Sequence, residues 1–260
     1  MIPLKFLDTL ADAASAAIMP HFRALNHIEN KYKVGFDPVT IADKEGEAAM
    51  RALIEQHYPD HGILGEEFDD KTADAESVWI LDPIDGTRSF IAGVPVWGIL
   101  IGHKINQKAS MGMMCQPFTN ERFSGDSQTA WHQLGKDAGT KKPIKTRACS
   151  QLAQATMFTT SPDLFKADEL QAYKAVEDQV RLARYGIDCY AYCMVASGHA
   201  DLVIESGLNA YDIAALIPII EGAGGRVTTW DGGNPVFGGS IIASGDPALH
   251  DSALEILNQA

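Results

Sequence analysis

The chain has 260 residues, of which 46% are apolar and 21% charged, and its formal net charge is −13 at pH 7. This composition is typical of a globular protein with a well-buried core, either one large domain or two small ones. The acidic excess argues against binding to nucleic acid or to an anionic membrane, because both need basic surfaces. The apolar runs are too short to span a bilayer and the first residues lack a secretory core, so we expect a cytoplasmic protein.

Helices and strands alternate along the predicted chain. The first half reads as helix 4–24, an irregular stretch at 35–38, helix 43–57, strand 61–65 and strand 78–81. Strand-like runs follow at 94–104, 109–117 and 128–134. The second half reads as strand 155–160, helix 163–178, strand 181–184, helix 188–198, strand 201–205, helix 212–222, strands 226–230 and 240–244, and helix 247–258. The alternation predicts an α/β fold of stacked layers.

A polar segment, Lys141-Lys142-Pro143, lies near the middle of the chain. It suggests a division of one compact unit into an N-terminal half, 1–142, and a C-terminal half, 143–260.

The most informative segment is VWILDPIDGTRSF at 78–90. Its four apolar residues predict the end of a core strand, and Asp82 and Asp85 follow at the mouth of that strand. Pro83 fixes φ between the two acids, so it stiffens the turn and would aim the Ile84 carbonyl inward. Carboxylates beside the backbone amides of a helix start can hold a divalent metal and a phosphate together.

Three other interpretations of this segment are possible. It could be an ordinary Asp/Gly turn. An EF-hand calcium loop would need a glutamate at its twelfth position, which is Gly93 when counted from Asp82, so that interpretation fails. Haloacid-dehalogenase phosphatases carry two acids after a strand, but one residue closer together, and they use the first as a covalent nucleophile.

Further acids stand at structurally comparable positions. Glu66 and Glu67 follow the short strand at 61–65, while Asp43 and Asp212 each begin a predicted helix. Taken singly, the glutamates could be exposed loop residues and the aspartates helix caps.

Taken together, the blocks DPVTIAD, GILGEE, WILDPIDGT, GLNAYDIAA and EGAGGRV resemble the inositol monophosphatase family in order and spacing over nearly the whole chain. The resemblance implies the alternating α-β-α-β-α sandwich of inositol monophosphatases and fructose bisphosphatases, and it implies a homodimer. It also implies a magnesium-dependent phosphatase that acts on a small-molecule phosphate ester.

The resemblance further implies how metal is held. Glu66, Asp82 and the carbonyl of Ile84 would bind a first Mg²⁺, and Asp82 would bridge to a second Mg²⁺ held by Asp85 and Asp212. A third, weaker ion would lie between Glu66 and Glu67. Oxygen ligands of this kind suit Mg²⁺, and without cations the clustered carboxylates would repel one another.

For catalysis, the same likeness implies direct attack by water without a covalent phosphoenzyme. Thr87, hydrogen-bonded to Asp43, would orient the water with Glu66 beside it. The amides of Gly86 and Thr87 would bind phosphate oxygens.

Two segments bear on the substrate. DGT followed by Arg88-Ser89-Phe90, and GIDCYAY with ASGHADLVIES, resemble the histidinol-phosphate phosphatase branch of the family. Aligning Glu205 with the substrate-contacting glutamate of the family places Asp188 in the same pocket. Arg88, Asp188 and Glu205 are therefore candidate substrate residues, and two acids would suit a cationic leaving group. Arg88 could instead be a surface residue, and Asp188 a helix cap.

The leading hypothesis from sequence is hydrolysis of L-histidinol phosphate in histidine biosynthesis. An inositol-1-phosphate or broad sugar-phosphate monophosphatase is the nearest alternative. A non-catalytic magnesium-dependent binding protein on the same fold is a further one.

Overall fold

The computed structural model describes residues 2–24, 28–30, 38–135 and 138–259. The helices are α1 (Lys5–Ile18), α2 (Ile41–His57), α3 (Thr87–Ile91), α4 (Ala167–Glu177), α5 (Tyr190–Ala196), α6 (Ala210–Ile213), α7 (Ile217–Gly222) and α8 (Pro247–Leu257). The strands are β1 (Ile28–Asn30), β2 (Pro38–Thr40), β3 (Gly62–Gly65), β4 (Ser77–Asp85), β5 (Gly98–Ile105), β6 (Lys108–Gln116), β7 (Glu121–Gly125), β8 (Ala130–Leu134), β9 (Lys142–Ile144), β10 (Thr156–Thr159), β11 (Leu182–Tyr185), β12 (Leu202–Leu208), β13 (Arg226–Thr229) and β14 (Gly239–Ser244).

Two sheets organise these elements. The larger has seven strands in the order β3-β4-β5-β6-β7-β8-β9, and only the β3–β4 pair within it is parallel. The smaller has five strands in the order β11-β10-β12-β14-β13. Strands β1 and β2 form a separate antiparallel pair.

Three apolar cores separate the layers. The first lies between α1, α2 and one face of the seven-stranded sheet. The second lies between the other face of that sheet, helices α5 to α7 and the five-stranded sheet. The third lies between the outer face of the five-stranded sheet and helices α4 and α8. The predicted α-β-α-β-α sandwich is therefore confirmed.

Strand β4 is buried on both faces, which explains why its sequence is apolar without interruption. Trp79 and Leu81 enter the first core, whereas Val78 and Ile80 enter the second. A strand buried on both faces needs apolar side chains at consecutive positions rather than at alternate ones.

Two predicted helices were too long, and proline explains both. The first helix ends at Ile18, before a 3₁₀ turn that contains Pro20. The helix predicted at 212–222 is two helices, because Pro218 falls in the first turn of α7. A proline inside a helix loses a hydrogen bond and clashes with the preceding turn, so the helix restarts next to it.

Two strands differ from the sequence-based assignment. Strand β7 was not predicted, since its residues Glu121–Gly125 mix charged, polar and apolar side chains. Strand β9 spans the proposed division at 142/143 and pairs with β8. The division into halves stays a prediction, and the irregular stretch predicted near 35–38 falls mostly outside the described residues. Among the helices described, none is long and apolar enough to cross a membrane.

Glycines on the large sheet let the segment that connects α6 to α7 lie directly on the strands. A Cβ atom added at Gly112 would stand 2.0 Å from the carbonyl oxygen of Ala215, and one added at Gly125 would stand 2.2 Å from that of Pro218. Such distances are far inside van der Waals contact. The absence of side chains at these two positions therefore sets how close the α6–α7 connection and the first turn of α7 come to the sheet.

We predict that Gly112→Ala lowers the free energy of unfolding by about 1–3 kcal/mol, because the new methyl group overpacks the sheet–helix contact. Urea unfolding measures the change. Gly245→Ala is the control, since its nearest neighbour would be a Thr146 side-chain atom at 3.2 Å. Wild-type stability for Gly112→Ala would contradict this account of the close approach.

Candidate active site

The C-terminal end of β4 carries the first two acids of the site. The sequence predicted that the strand ends at Leu81, but β4 continues through Asp85 with a register shift between Asp82 and Asp85 against β5. Residues three apart face opposite sides of a regular strand, and one extra residue in a bulge restores the same side. The Ile84 N–H donates to Asp82 Oδ1 at 2.9 Å, which fixes the turn.

The third acid, Asp212, comes from α6. Carboxylate oxygens of Asp82, Asp85 and Asp212 all lie within 4.8 Å of one another. Asp212 also closes a capping box, accepting the Asn209 N–H on Oδ2 at 2.6 Å. The helix cap is therefore Asn209, and Asp212 still has its other oxygen for the acidic cluster.

Burial and mutual repulsion raise the pKa values of the acids in this cluster. The pKa of Asp82 is raised well above its usual range by burial and by the charges of Glu66, Asp85 and Asp212. Burial, with the charges of Glu66 and Glu205, raises the pKa of Asp212 to about 7 despite its hydrogen bonds from Asn209. Carboxylates held this close favour a bound cation, which would relieve the repulsion.

The side of the cluster towards β3 carries Glu66 and Glu67, both half-buried. Besides burial, the charge of Glu66 acts on Asp82 and raises its pKa, and the Glu66 N–H donates to the carbonyl of Leu81 at 3.3 Å. Glu66 therefore adjoins the cluster of three aspartates.

A buried glutamate that the sequence analysis missed supports this strand end. Glu47 on α2 is fully buried, accepts the Glu67 N–H at 2.8 Å and pairs with Arg51 at 2.7 Å. A Cβ at Gly65 would lie 2.0 Å from Glu47 Oε1, so only glycine fits there. The spacing of Glu47 and Arg51, four apart on one helix, is the signal that could have identified the pair.

Asp43 and Thr87 meet beside the Asp82–Asp85 turn. Thr40, not Asp43, is the N-cap of α2, and Asp43 is the third helical residue of a capping box. Its Oδ2 accepts the Thr40 N–H at 2.8 Å, and burial raises its pKa to about 6. Thr87 Oγ1 lies 3.5 Å from Asp43 Oδ1 and 3.1 Å from the carbonyl oxygen of Ile84. Thr87 therefore adjoins Asp43, the partner expected from sequence, and also contacts the Ile84 carbonyl.

Beside the acids lies a cavity of about 240 Å³. Its lining includes every residue proposed to contact substrate: Gly86, Thr87, Arg88, Asp188 and Glu205. Thr160, Leu164 and Tyr192 also line it and were not identified from sequence. Thr160 follows β10, Leu164 ends a 3₁₀ turn and Tyr192 lies on α5, so no single sequence motif joins them.

Asp188 adopts an unusual backbone conformation, with φ at 42°. It does not cap a helix, because α5 begins at Tyr190 and its N-cap residue makes no side-chain cap bond. Asp188 Oδ2 instead accepts from Ser89 Oγ at 2.6 Å. A Cβ at Gly86 would lie 2.7 Å from the same carboxylate oxygen, so Gly86, at φ 84°, leaves room for it.

Glu205 is buried and held by three donors. Its Oε1 accepts from the N–H and the hydroxyl of Thr160 at 2.9 and 2.5 Å, and its Oε2 accepts from the Tyr192 hydroxyl at 3.0 Å. Burial raises the pKa of Glu205, whereas these hydrogen bonds lower it. Three donors favour the ionised carboxylate and fix its orientation.

Comparison with known proteins places this site in a family. Residues 4–260 match the sequence model of the inositol monophosphatase family. The chain belongs to the inositol monophosphatase family. This confirms the resemblance found in the sequence and makes the protein a phosphatase of that family.

Individual relatives agree with that assignment. The bifunctional phosphatase IMPL2, chloroplastic, of Arabidopsis thaliana is 44% identical over 261 residues, which cover 96% of this chain and 73% of that protein. A histidinol-phosphatase of Mycobacterium tuberculosis is 32% identical over 257 residues, covering 96% of this chain and 95% of that one. A solved inositol monophosphatase from Zymomonas mobilis superposes with a TM-score of 0.86 at 38% identity, covering 98% of this chain and 96% of that one.

The raised pKa values predict how stability depends on pH without metal. When an acid has a higher pKa in the folded state than in the unfolded state, the protein loses stability as pH rises above the unfolded-state pKa of that acid. For Asp212 the loss occurs between about pH 4 and 7. Asp212→Asn keeps an oxygen that can accept the Asn209 N–H in the capping box of α6, but it removes the negative charge. We therefore expect it to raise the free energy of unfolding in chelator at pH 8 by about 1–3 kcal/mol.

Urea unfolding at pH 5 and pH 8 tests this expectation, with most of the gain expected at pH 8. An exposed control, Asp251→Asn, should show no comparable gain. If Asp212→Asn is no more stable than wild type at pH 8, the prediction is wrong, and the repulsion in the cluster must be relieved in some other way.

Proposed function

We propose that this protein is a magnesium-dependent phosphomonoesterase that hydrolyses L-histidinol phosphate to L-histidinol and phosphate, as a step of histidine biosynthesis. The observation that carries the proposal is the pair of acids, Asp188 and Glu205, that lines the same cavity as the carboxylate cluster. The cluster accounts for the reaction type, and the two acids account for the choice of a cationic leaving group.

The donor set fits Mg²⁺ in the proposed arrangement. Asp82, Asp85 and Asp212 offer converging carboxylate oxygens, and hard oxygen donors suit this ion. Glu66 and the Ile84 carbonyl would complete one site, while Asp85 and Asp212 would complete the second, with two or three ions per subunit. When bound, the ions would neutralise phosphate charge and acidify a coordinated water.

The residues of the chain would do the remaining work. Thr87 would accept a hydrogen bond from the attacking water while donating to Asp43, and Glu66 would hold the water from its other side. The backbone amides of Gly86 and Thr87 would bind phosphate oxygens. Direct attack by water leaves no covalent phosphoenzyme on Asp82, in contrast to the haloacid-dehalogenase alternative.

Charge supports histidinol over inositol as the leaving group. Histidinol carries an ammonium group, whereas inositol is neutral. Asp188 and Glu205 are fixed by uncharged donors, Ser89 for the first and Thr160 with Tyr192 for the second. These donors carry no charge and so do not neutralise either carboxylate, although the charge of Arg88 acts on Asp188 and opposes the rise in its pKa that burial causes. Arg88 lines the same cavity and would contact the substrate phosphate.

A second candidate is an inositol-1-phosphate or broad sugar-phosphate monophosphatase. The solved relative from Zymomonas mobilis, an inositol monophosphatase at 38% identity, favours it. The histidinol-phosphatase relatives at 32% identity favour the first candidate. A homodimer and a cytoplasmic location stay predictions from the sequence.

We predict that Glu205→Gln lowers kcat/KM for L-histidinol phosphate by about 10- to 100-fold, because a charge-assisted hydrogen bond to the ammonium is lost. The same change should affect inositol 1-phosphate by less than about threefold, since that ester offers no cation. Parallel assays with Mg²⁺ on both esters measure the two ratios.

Glu255→Gln, at an exposed position on α8, is the matched control. Wild-type activity on inositol 1-phosphate equal to or above that on histidinol phosphate would overturn the proposed substrate. Equal loss on both esters in Glu205→Gln would remove the proposed role of Glu205.

A further inference from the structure

Helix α2 carries two buried carboxylates one turn apart, Asp43 and Glu47, which are 1% and 0% exposed. Residues four apart lie on the same face of a helix. Asp43 contacts Thr87, which follows β4, and Glu47 contacts Glu67, which follows β3. The first acid has a proposed part in orienting water, whereas the second is buried without a part in the reaction.

Glu47 and Arg51 form one hydrogen-bonded unit with the segment that follows β3. Glu47 Oε1 accepts from Arg51 Nε at 2.7 Å, and its Oε2 accepts the Glu67 N–H at 2.8 Å. Arg51 Nη2 donates to the Phe68 carbonyl oxygen at 3.1 Å. Backbone groups of two successive residues are therefore held by a single ion pair.

Glu66 lies between two anchored peptide groups. Its own N–H donates to the Leu81 carbonyl oxygen on β4 at 3.3 Å, and the next N–H, that of Glu67, donates to Glu47. Because peptide groups are planar, only φ and ψ of Glu66 separate these two N–H groups, so the two hydrogen bonds together fix both angles. The direction in which the Glu66 side chain leaves the backbone is fixed with them.

Fold stability alone is a weak explanation for the Glu47–Arg51 pair. Removing two charges from water costs free energy that their attraction only partly returns, and apolar residues of similar volume often stabilise a core as well or better. The pair also requires glycine beside it, because a Cβ at Gly65 would stand 2.0 Å from Glu47 Oε1. What the ion pair supplies, and apolar side chains cannot, is an acceptor for one backbone group and a donor for another.

We infer that Glu47 and Arg51 are positioning residues for Glu66, and that they set the affinity of the site for Mg²⁺ by fixing the backbone from which the Glu66 carboxylate reaches the ion. The inference rests on the proposed magnesium-dependent function. Residues that orient a metal ligand without touching the metal typically contribute about 10- to 100-fold to metal affinity.

Arg51→Lys is the first test, since it keeps the positive charge but offers one ammonium group where the guanidinium serves both Glu47 and Phe68. Calorimetric titration of Mg²⁺ into the full chain, freed of metal with chelator, should show a dissociation constant raised about tenfold or more. The Mg²⁺ concentration for half-maximal hydrolysis should rise by a similar factor, while kcat at saturating Mg²⁺ falls less than about threefold. A purely structural role would not separate these two quantities.

Arg51→Gln separates positioning from charge. Loss of the positive charge leaves Glu47 unpaired, so electrostatics alone would make Mg²⁺ bind more tightly than in the wild type. Loss of positioning makes it bind more weakly, which is the result we expect. Arg226→Lys is the matched control, because Arg226 Nη1 pairs with Asp251 at 2.6 Å between β13 and α8, and its Mg²⁺ affinity should equal that of the wild type.

Either Arg51 variant alone decides if the other does not fold. Wild-type affinity for Mg²⁺ in Arg51→Lys, tighter binding in Arg51→Gln, or equal weakening in Arg226→Lys would overturn the inference and leave the proposed function intact. A wild-type protein that binds no Mg²⁺ would overturn the proposed function, and the inference with it.

Discussion

Like charges forced together by packing are the constraint on which the site depends. Asp82, Asp85 and Asp212 bring carboxylate oxygens within 4.8 Å of one another, and burial together with neighbouring carboxylate charges raises their pKa values. The bulge in β4 turns two of these acids to one side. Glycine contacts beneath the α6–α7 segment bring the third to meet them. The fold therefore holds an arrangement that is unfavourable alone and favourable with cations present.

The same reasoning resolves the apparent conflict between a chain of net charge −13 and an anionic substrate. Phosphate binding requires the local field to be reversed, and bound cations at the acidic cluster would reverse it. The other wall of the cavity carries the carboxylates of Asp188 and Glu205, with the Arg88 charge close to Asp188. Asp188 and Glu205 are oriented there by Ser89, Thr160 and Tyr192 without being neutralised by them. One cavity would thus present positive charge to a phosphate and negative charge to its alcohol.

The local apolar patterns of the sequence predicted the layered fold, and the family resemblance of the motif blocks implied that Asp212 would join Asp82 and Asp85. The apolar run before Asp82 indicated a buried strand, and the order of the motif blocks indicated the family. Features that depend on distant contacts were missed. Glu47 seemed an ordinary helix residue, yet it supports the backbone of Glu67 from another element. Thr160 and Tyr192 became recognisable only when tertiary structure placed them around Glu205. The break before α7 could have been predicted from Pro218 alone.

A crystal of the protein soaked in Mn²⁺, which replaces Mg²⁺ at oxygen ligands and scatters anomalously, tests the central claim most directly. We predict anomalous peaks at the acidic cluster, with Asp82 bound to two ions and Asp212 bound to one of them. Data that show no ion at the cluster, with Asp212 turned away from the Asp82–Asp85 turn, would contradict this account.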